Sequence, residues 1–147
     1  MKKILVALMS MALMTISLSC NADRDRIITA DQLPAAAREF IKQYFPEQTV
    51  TLAKKDKDLI KVTYEVLLND GTEIEFDSKG EWDKIDRETI AVPAALIPEA
   101  IATYVSTNFP AQTIVKIDKE KNGYEIELSG GIELRFNKSG ALTSVDD

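Results

Sequence analysis

Apolar residues recur at spacings of three and four in two segments of the chain, residues 33–44 and 97–105. This spacing places the apolar side chains on one stripe and predicts two amphipathic helices. Pro46 and Pro110 follow the two segments, and each predicts the end of its helix because the residue before a proline avoids the α conformation. Pro34 and Pro98 lie near the two starts, where a missing N–H costs nothing.

The segments after each helix alternate apolar and polar residues, which predicts half-buried strands. Asn69-Asp70-Gly71 and Ser129-Gly130-Gly131 tolerate positive φ, so both predict tight hairpin turns. A further turn and strand follow in each case, which makes about four strands after each helix. The other predicted strands are 50–54, 62–68 and 74–76, and then 114–118, 124–128 and 134–136.

One part of the chain occurs twice. "YEVLLNDGTEIEFDSKGEWDKID", from Tyr64, matches "YEIELSGGIELRFNKSGALTSVD", from Tyr124, without a gap, and the helical segments also match. We therefore predict an α+β fold in which two tandem helix-plus-four-strand units form one antiparallel sheet with the helices on one face, because a unit of about 60 residues buries too little core alone. The predicted boundaries are a signal peptide at 1–22, repeat 1 at 23–88, a connector at 89–96 and repeat 2 at 97–147.

The beginning of the chain is typical of a secretory signal, with Lys2 and Lys3 followed by an apolar run over residues 4–18. This run is shorter than the roughly 20 residues that a spanning helix needs, so no membrane span is predicted. Cys20 is the only cysteine, and two interpretations of it stay open. Cleavage after Ala22 would remove it, whereas a lipobox-like "SLSC" would make it the lipid-modified first residue of a membrane-anchored lipoprotein.

Charge argues against nucleic-acid partners. The formal net charge is −6, and removal of the two lysines within residues 1–22 makes it −8 for the mature chain. Such a chain, with no basic cluster, is expected to be repelled by phosphate backbones and by anionic lipid surfaces. The chain also has no histidine, and neither a metal site nor a cofactor is predicted.

The helix with its Phe-Pro stop, "YEV", "DGTEIEFD" and "GEW", duplicated behind a signal peptide, resembles the PepSY-like proteins, also described as β-lactamase-inhibitor-like. These proteins are exported by Gram-negative bacteria. The resemblance covers nearly all of the mature chain. It implies a β-lactamase-inhibitor-protein-like fold and a role in restraining a peptidase or other hydrolase, and it brings no catalytic residue with it.

The strand pattern also predicts an acidic face on the sheet, because charged residues alternate with the core positions. One interpretation is a surface that receives a basic peptide, a cationic partner or Ca²⁺. The other is a solvated face that keeps the protein soluble, as antiparallel sheets commonly have. The candidate binding residues on this face are Glu65, Glu73, Glu75, Glu125, Glu127 and Glu133.

Trp82 is the only tryptophan, and Leu142 takes its place in the second copy. This replacement keeps apolar bulk and favours a packing role. The alternative is an exposed anchor at a protein interface, where tryptophan is over-represented. Trp82 therefore joins the candidate binding residues.

Glu73 and Glu75 lie two residues apart and raise a further hypothesis, a hydrolase with two carboxylates. Acid pairs at this spacing occur wherever a strand has a wet face. No histidine base, no thiol after cleavage at Ala22 and no glycine-rich phosphate loop accompanies them. We therefore predict that the protein is not an enzyme.

The sequence thus favours an exported, non-enzymatic binding domain of the periplasm that recognises a protein or peptide and inhibits a hydrolase. The alternative is an envelope protein that binds a small ligand or a cation on its acidic face.

Overall fold

The computed structural model describes residues 25–146, so the predicted signal peptide and Cys20 lie outside it. Two ten-residue helices, α1 (Ala35–Tyr44) and α2 (Glu99–Asn108), accompany nine strands. Two 3₁₀ turns, Ala30–Gln32 and Ala94–Leu96, precede the helices. The strands are β1 (Asp25–Ile28), β2 (Val50–Lys57), β3 (Val62–Leu68), β4 (Glu73–Phe76), β5 (Trp82–Asp86), β6 (Ile114–Glu120), β7 (Gly123–Leu128), β8 (Glu133–Asn137) and β9 (Leu142–Asp146).

The nine strands form one open antiparallel sheet in chain order, from β1 at one edge to β9 at the other. This confirms the prediction of an α+β fold built on a single antiparallel sheet. We call residues 25–88 the first half and residues 89–146 the second half. Each half contains a helix followed by four strands in the same order, and β5 and β6 pair where the halves meet.

Strand β1 was not predicted. Its four residues, Asp25–Ile28, pair with Lys54 and its neighbours in β2 and are mostly exposed. So short a segment shows no clear alternation, and its conformation comes from the neighbouring strand.

A row of apolar residues crosses the whole sheet on its helix side. Ile85 and Ile117 are register partners at the meeting of the two halves, and both have 0% exposure. Both halves therefore contribute to one core. From β1 to β9 the row is Ile28, Ala53, Val66, Ile74, Ile85, Ile117, Ile126, Leu134 and Val145.

Both helices cover this row, so they lie on the same face of the sheet. Phe40 of α1 meets Phe76 edge-on with ring centroids 5.6 Å apart, and Tyr104 of α2 meets Phe136 in the same way at 5.5 Å. Each helix begins after a proline and ends before a Phe-Pro pair, as the sequence predicted. Within residues 25–146, neither helix is long and apolar enough to span a membrane.

Two hairpin turns lie tightly against the helix starts. Gly80 and Gly140 have φ values of +86° and +81°, in the left-handed region that favours glycine. A Cβ at Gly80 would lie 2.8 Å from the backbone nitrogen of Ala37, and one at Gly140 would lie 2.6 Å from the Cβ of Ala100. Glycine at both turns therefore allows the helices to approach the sheet.

Arg87 ties the first half to the segment that leads into the second. Its guanidinium donates hydrogen bonds to Asp70 at 2.8 Å, to the Thr72 hydroxyl at 3.1 Å and to the Ala91 carbonyl at 2.8 Å. Burial raises the pKa of Asp70, but hydrogen bonds from Thr72 and Arg87 outweigh this effect and hold the pKa below its ordinary value. The Asp70 carboxylate is thus stabilised in its charged form.

Candidate binding face

The side of the sheet opposite the helices carries all six predicted glutamates, and we call it the open face. Strand register arranges its residues, most of them charged, in two rows across the strands. The first row is Lys54, Glu65, Glu75, Lys84, Asp118, Glu125, Arg135 and Ser144. The second row is Leu52, Leu67, Glu73, Asp86, Lys116, Glu127, Glu133 and Asp146.

In the first half the open face contains a shallow depression of about 190 Å³. Leu52 and Leu67 are direct register partners and give it an apolar floor. Three of the predicted residues, Glu65, Glu73 and Glu75, stand around this floor. Its other lining residues are Lys54, Val66, Ile74 and Lys84.

The leucine pair was missed as a site. A β-bulge between Val50 and Leu52 shifts the register of β2, so that Leu52 points to the open face and Ala53 to the core. Without the bulge, regular alternation from Val50 would place Leu52 on the core side. Only Leu67, which alternates with buried Val66, gave a signal in the sequence.

The carboxylates of the depression are weakly compensated. The only ion pair there between described residues joins Lys54 to Glu65, with 4.0 Å between Nζ and Oε2. Glu73 and Glu75 form no ion pair within the described part of the chain. Lys84 lies beside Glu75 in the register. An apolar floor with available negative charge suits an apolar side chain that is flanked by cations.

In the second half the corresponding surface is occupied by ion pairs. Lys116 and Glu127 take the places of the two leucines and pair at 3.9 Å. Arg135 takes the place of Glu75, and it binds Glu125 at 3.0 Å and Asp146 at 3.5 Å. The predicted residues Glu125, Glu127 and Glu133 therefore lie on the same face as the three glutamates of the depression. In the second half, however, this face carries ion pairs and has no apolar floor.

Asp118 lies on the open face where the halves meet. Partial burial, together with the nearby carboxylate of Glu120, raises its pKa, and Lys84 lowers it by less. Glu75 and Glu125 add to the rise. The open face thus keeps excess negative charge across the junction.

Trp82 lies on the helix side of the sheet, away from the six glutamates. Its ring packs against that of Phe40, with the ring centroids 6.3 Å apart, and the Trp82 side chain is half-buried. Lys119 stands over the ring with Nζ 3.6 Å from its centroid and donates a hydrogen bond to the Trp82 carbonyl at 2.9 Å. Partial burial lowers the pKa of Lys119, and the acids Asp83, Glu81 and Asp77 act in the opposite direction.

In the part of the chain that the structure describes, no three Asp, Glu, Cys or His side chains converge as they would around a metal ion. Glu73 and Glu75 project from one strand, about 6–7 Å apart at their Cα atoms. They flank a shallow, open surface.

Comparison with known proteins identifies similar chains. The family model described as "Putative beta-lactamase-inhibitor-like, PepSY-like" matches residues 62–144. A Bacteroides vulgatus structure, a "putative periplasmic protein of unknown function", is 39% identical, with a TM-score of 0.80, and the match covers 84% of this chain and 99% of that one. No curated protein matches the chain.

Two more solved structures are similar over almost their full length. A second Bacteroides vulgatus structure, a "putative periplasmic protein" of the DUF2874 family, is 39% identical, with a TM-score of 0.81. A Bacteroides thetaiotaomicron structure, a "putative calcium-regulated periplasmic protein", is 41% identical, also with a TM-score of 0.81. Each match covers 86% of this chain and 99% of the other.

Proposed function

This chain belongs to the PepSY-like, beta-lactamase-inhibitor-like family, and from that premise we propose that it is an exported, non-enzymatic binding domain. It recognises an extended, basic segment of a protein or peptide on the open face of its first half. The observation that carries the proposal is the half-buried Leu52–Leu67 floor beside Glu73 and Glu75.

The spacing of the acids suits an extended ligand. Every second side chain of a strand points to the same side, about 6–7 Å from the next. A segment of the pattern Lys-Xaa-Leu-Xaa-Lys therefore offers one apolar side chain between two cations. Its leucine would contact Leu52 and Leu67, and its lysines would approach Glu65, Glu73 and Glu75.

The size of the depression supports a protein or peptide over a small molecule. Small-molecule pockets commonly enclose about 300–1,000 Å³, whereas this one has about 190 Å³ and is open to solvent. An open site of this size accommodates a side chain that projects from a larger partner. Inhibition of a periplasmic peptidase or other hydrolase is the role that the family description supports.

The proposal includes the tandem organisation of the chain. It comprises a signal peptide at 1–22, units at 23–88 and 97–147, and a connector at 89–96. Apart from β1, the elements follow the same order in the two halves, which supports it. Glu125, Glu127 and Glu133 then extend the charged face beyond the depression, and Trp82 acts through its packing on Phe40.

The test is a pull-down from periplasmic extract of the native host, with protein identification and quantification. The Glu73→Lys/Glu75→Lys variant should lose the partner. Glu133→Lys is the matched reversal on the second half, and Trp82→Ala is the control on the opposite face; both should retain the partner. Identical partners for all variants, or no specific partner at all, would count against the proposal.

A second candidate is cation binding on the same face. It is favoured by the similar protein described as calcium-regulated and by Glu73 and Glu75, which lack an ion pair among the described residues. Calorimetry separates the two candidates. Heat on addition of CaCl₂ alone, lost in Glu73→Gln/Glu75→Gln, supports the cation; heat only with a lysine-leucine peptide supports peptide recognition.

A further inference from the structure

The hairpin between β2 and β3 ends in two fully exposed apolar side chains. Leu59 is 97% exposed and Ile60 is 99% exposed. The backbone N–H of Asp58 donates to the carbonyl of Lys61 at 2.9 Å, so a closed turn presents both side chains to solvent. We call residues 58–61 the hairpin tip. Neither side chain contributes to the core, and the binding face described above does not include them.

The segment that leads into and through the tip has more lysines than acids, unlike the chain as a whole. Residues 54–61 contain four lysines and two aspartates, whereas the whole chain has a formal charge of −6. Lys57 precedes the tip and Lys61 is its last residue, and both are exposed. Lys61 also lies 3.4 Å from Asp83. Exposed apolar side chains next to lysines are suited to contact with a surface that has an apolar interior and anionic groups at its boundary.

The start of β1 lies at the same end of the sheet as the hairpin tip. Asp25, the first described residue, is the register partner of Asp56, only a few residues before the tip. Cys20 precedes Asp25 by five residues, which span at most about 17 Å.

We propose that the hairpin tip is a contact with the lipid surface, in which Leu59 and Ile60 enter the headgroup region and Lys57 and Lys61 lie at anionic headgroups. Two apolar side chains are too few to hold an acidic protein alone, since stable membrane attachment takes two signals. A lipid-modified Cys20, one of the two interpretations that the sequence leaves open, would be the second signal, and the tip would then set the orientation of the anchored chain. The strands then stand away from the membrane and leave the open face accessible.

The experiment uses the mature chain as a Gram-negative host processes it, on vesicles of phosphatidylethanolamine and phosphatidylglycerol. Cys20 is either acylated or removed, so a cysteine introduced by Ile60→Cys is the only free thiol. A polarity-sensitive fluorophore there should shift to the blue with vesicles and be quenched by brominated lipid. The same fluorophore on Ser129→Cys, at a turn on the opposite end of the sheet, should do neither.

A second variant tests the tip without a label. Leu59→Asp/Ile60→Asp changes side chains that lie outside the core, so the Tm should stay unchanged while vesicle-bound protein falls severalfold. A fluorophore at position 60 that remains in water overturns the proposal, whether the protein leaves the vesicles or binds with the tip turned away. A blue shift without vesicles that grows with protein concentration also overturns it and assigns the tip to a second copy of the chain.

Discussion

The two halves of the molecule are alike on the helix side of the sheet and different on the open face. On the helix side, Ile74 and Leu134 occupy corresponding, fully buried positions. On the open face, the first half has the leucine pair where the second has the Lys116–Glu127 ion pair. The shared core needs the first set of positions, whereas the fold forms equally with either pair on the open face.

This difference indicates where binding energy is available. The leucine pair is only half-buried in the free protein, so it would bury further apolar surface when a partner covers it. An ion pair in the same place is already satisfied. The comparison therefore supports our proposal that recognition occurs on the first half, beside a solvated surface on the second.

The largest expected effect comes from breaking the core that the halves share. Ile117→Ala removes a fully buried side chain at the junction and should lower the free energy of unfolding by about 2–5 kcal/mol. Ile27→Ala, at a position that is 71% exposed, is the control. Denaturant unfolding should show one transition for both variants. Separate transitions for the two halves would show that they fold independently.

Next in size is the Arg87 network, which joins Asp70 and Thr72 of the first half to Ala91. Arg87→Ala should cost about 2–3 kcal/mol, since it removes hydrogen bonds to a charged, mostly buried partner. Thermal unfolding at pH 7 measures the loss. Lys61→Ala, which breaks an exposed ion pair, should change stability by less than about 1 kcal/mol.

The same network predicts a pH dependence. The folded pKa of Asp70 lies below its unfolded value, so its contribution is fully present above about pH 4 and is lost as the pH falls through the folded pKa. Asp70→Asn should therefore weaken the acid-induced loss of stability below about pH 4. An unchanged slope of stability against pH would contradict this assignment.

A smaller effect is expected when the open-face pair of the second half replaces that of the first. Leu52→Lys/Leu67→Glu places the second half's pair in the first and should weaken binding of a lysine-leucine peptide about tenfold, or about 1.4 kcal/mol. The matched control, Lys116→Leu/Glu127→Leu, leaves the first depression intact. Isothermal titration measures both variants. Equal affinity for the wild type and the first variant would contradict recognition by the leucine floor.

The smallest effect is expected at Asp118, on the open face where the two halves meet. Asp118 has a raised pKa, so its charged form is disfavoured in the folded state and stability falls as the pH rises through that pKa. Asp118→Asn should raise stability at pH 7 by less than about 1 kcal/mol, because the site is partly exposed. Thermal unfolding at pH 7 and at pH 4 checks the sign: the gain should shrink at the lower pH.

The sequence predicted what depends on regular spacing. The helices, the hairpin turns at Gly71 and Gly131, and the face of the six glutamates all follow from periods of 3.6 and 2. The bulges were not predictable in this way. They shift the register at Leu52 and Lys116, and an extra residue in a strand leaves no periodic signal. Ion pairing also depends on which strands become neighbours, which alternation alone does not specify.

The most direct test of the central claim is to map a bound peptide by amide chemical shifts. A Lys-Xaa-Leu-Xaa-Lys peptide should perturb the amides of Leu52, Glu65, Leu67 and Glu73 in a saturable way, while that of Glu127 stays unchanged. Perturbations of equal size in both halves, or confined to the helix side, would contradict the claim that only the first half's open face receives a partner.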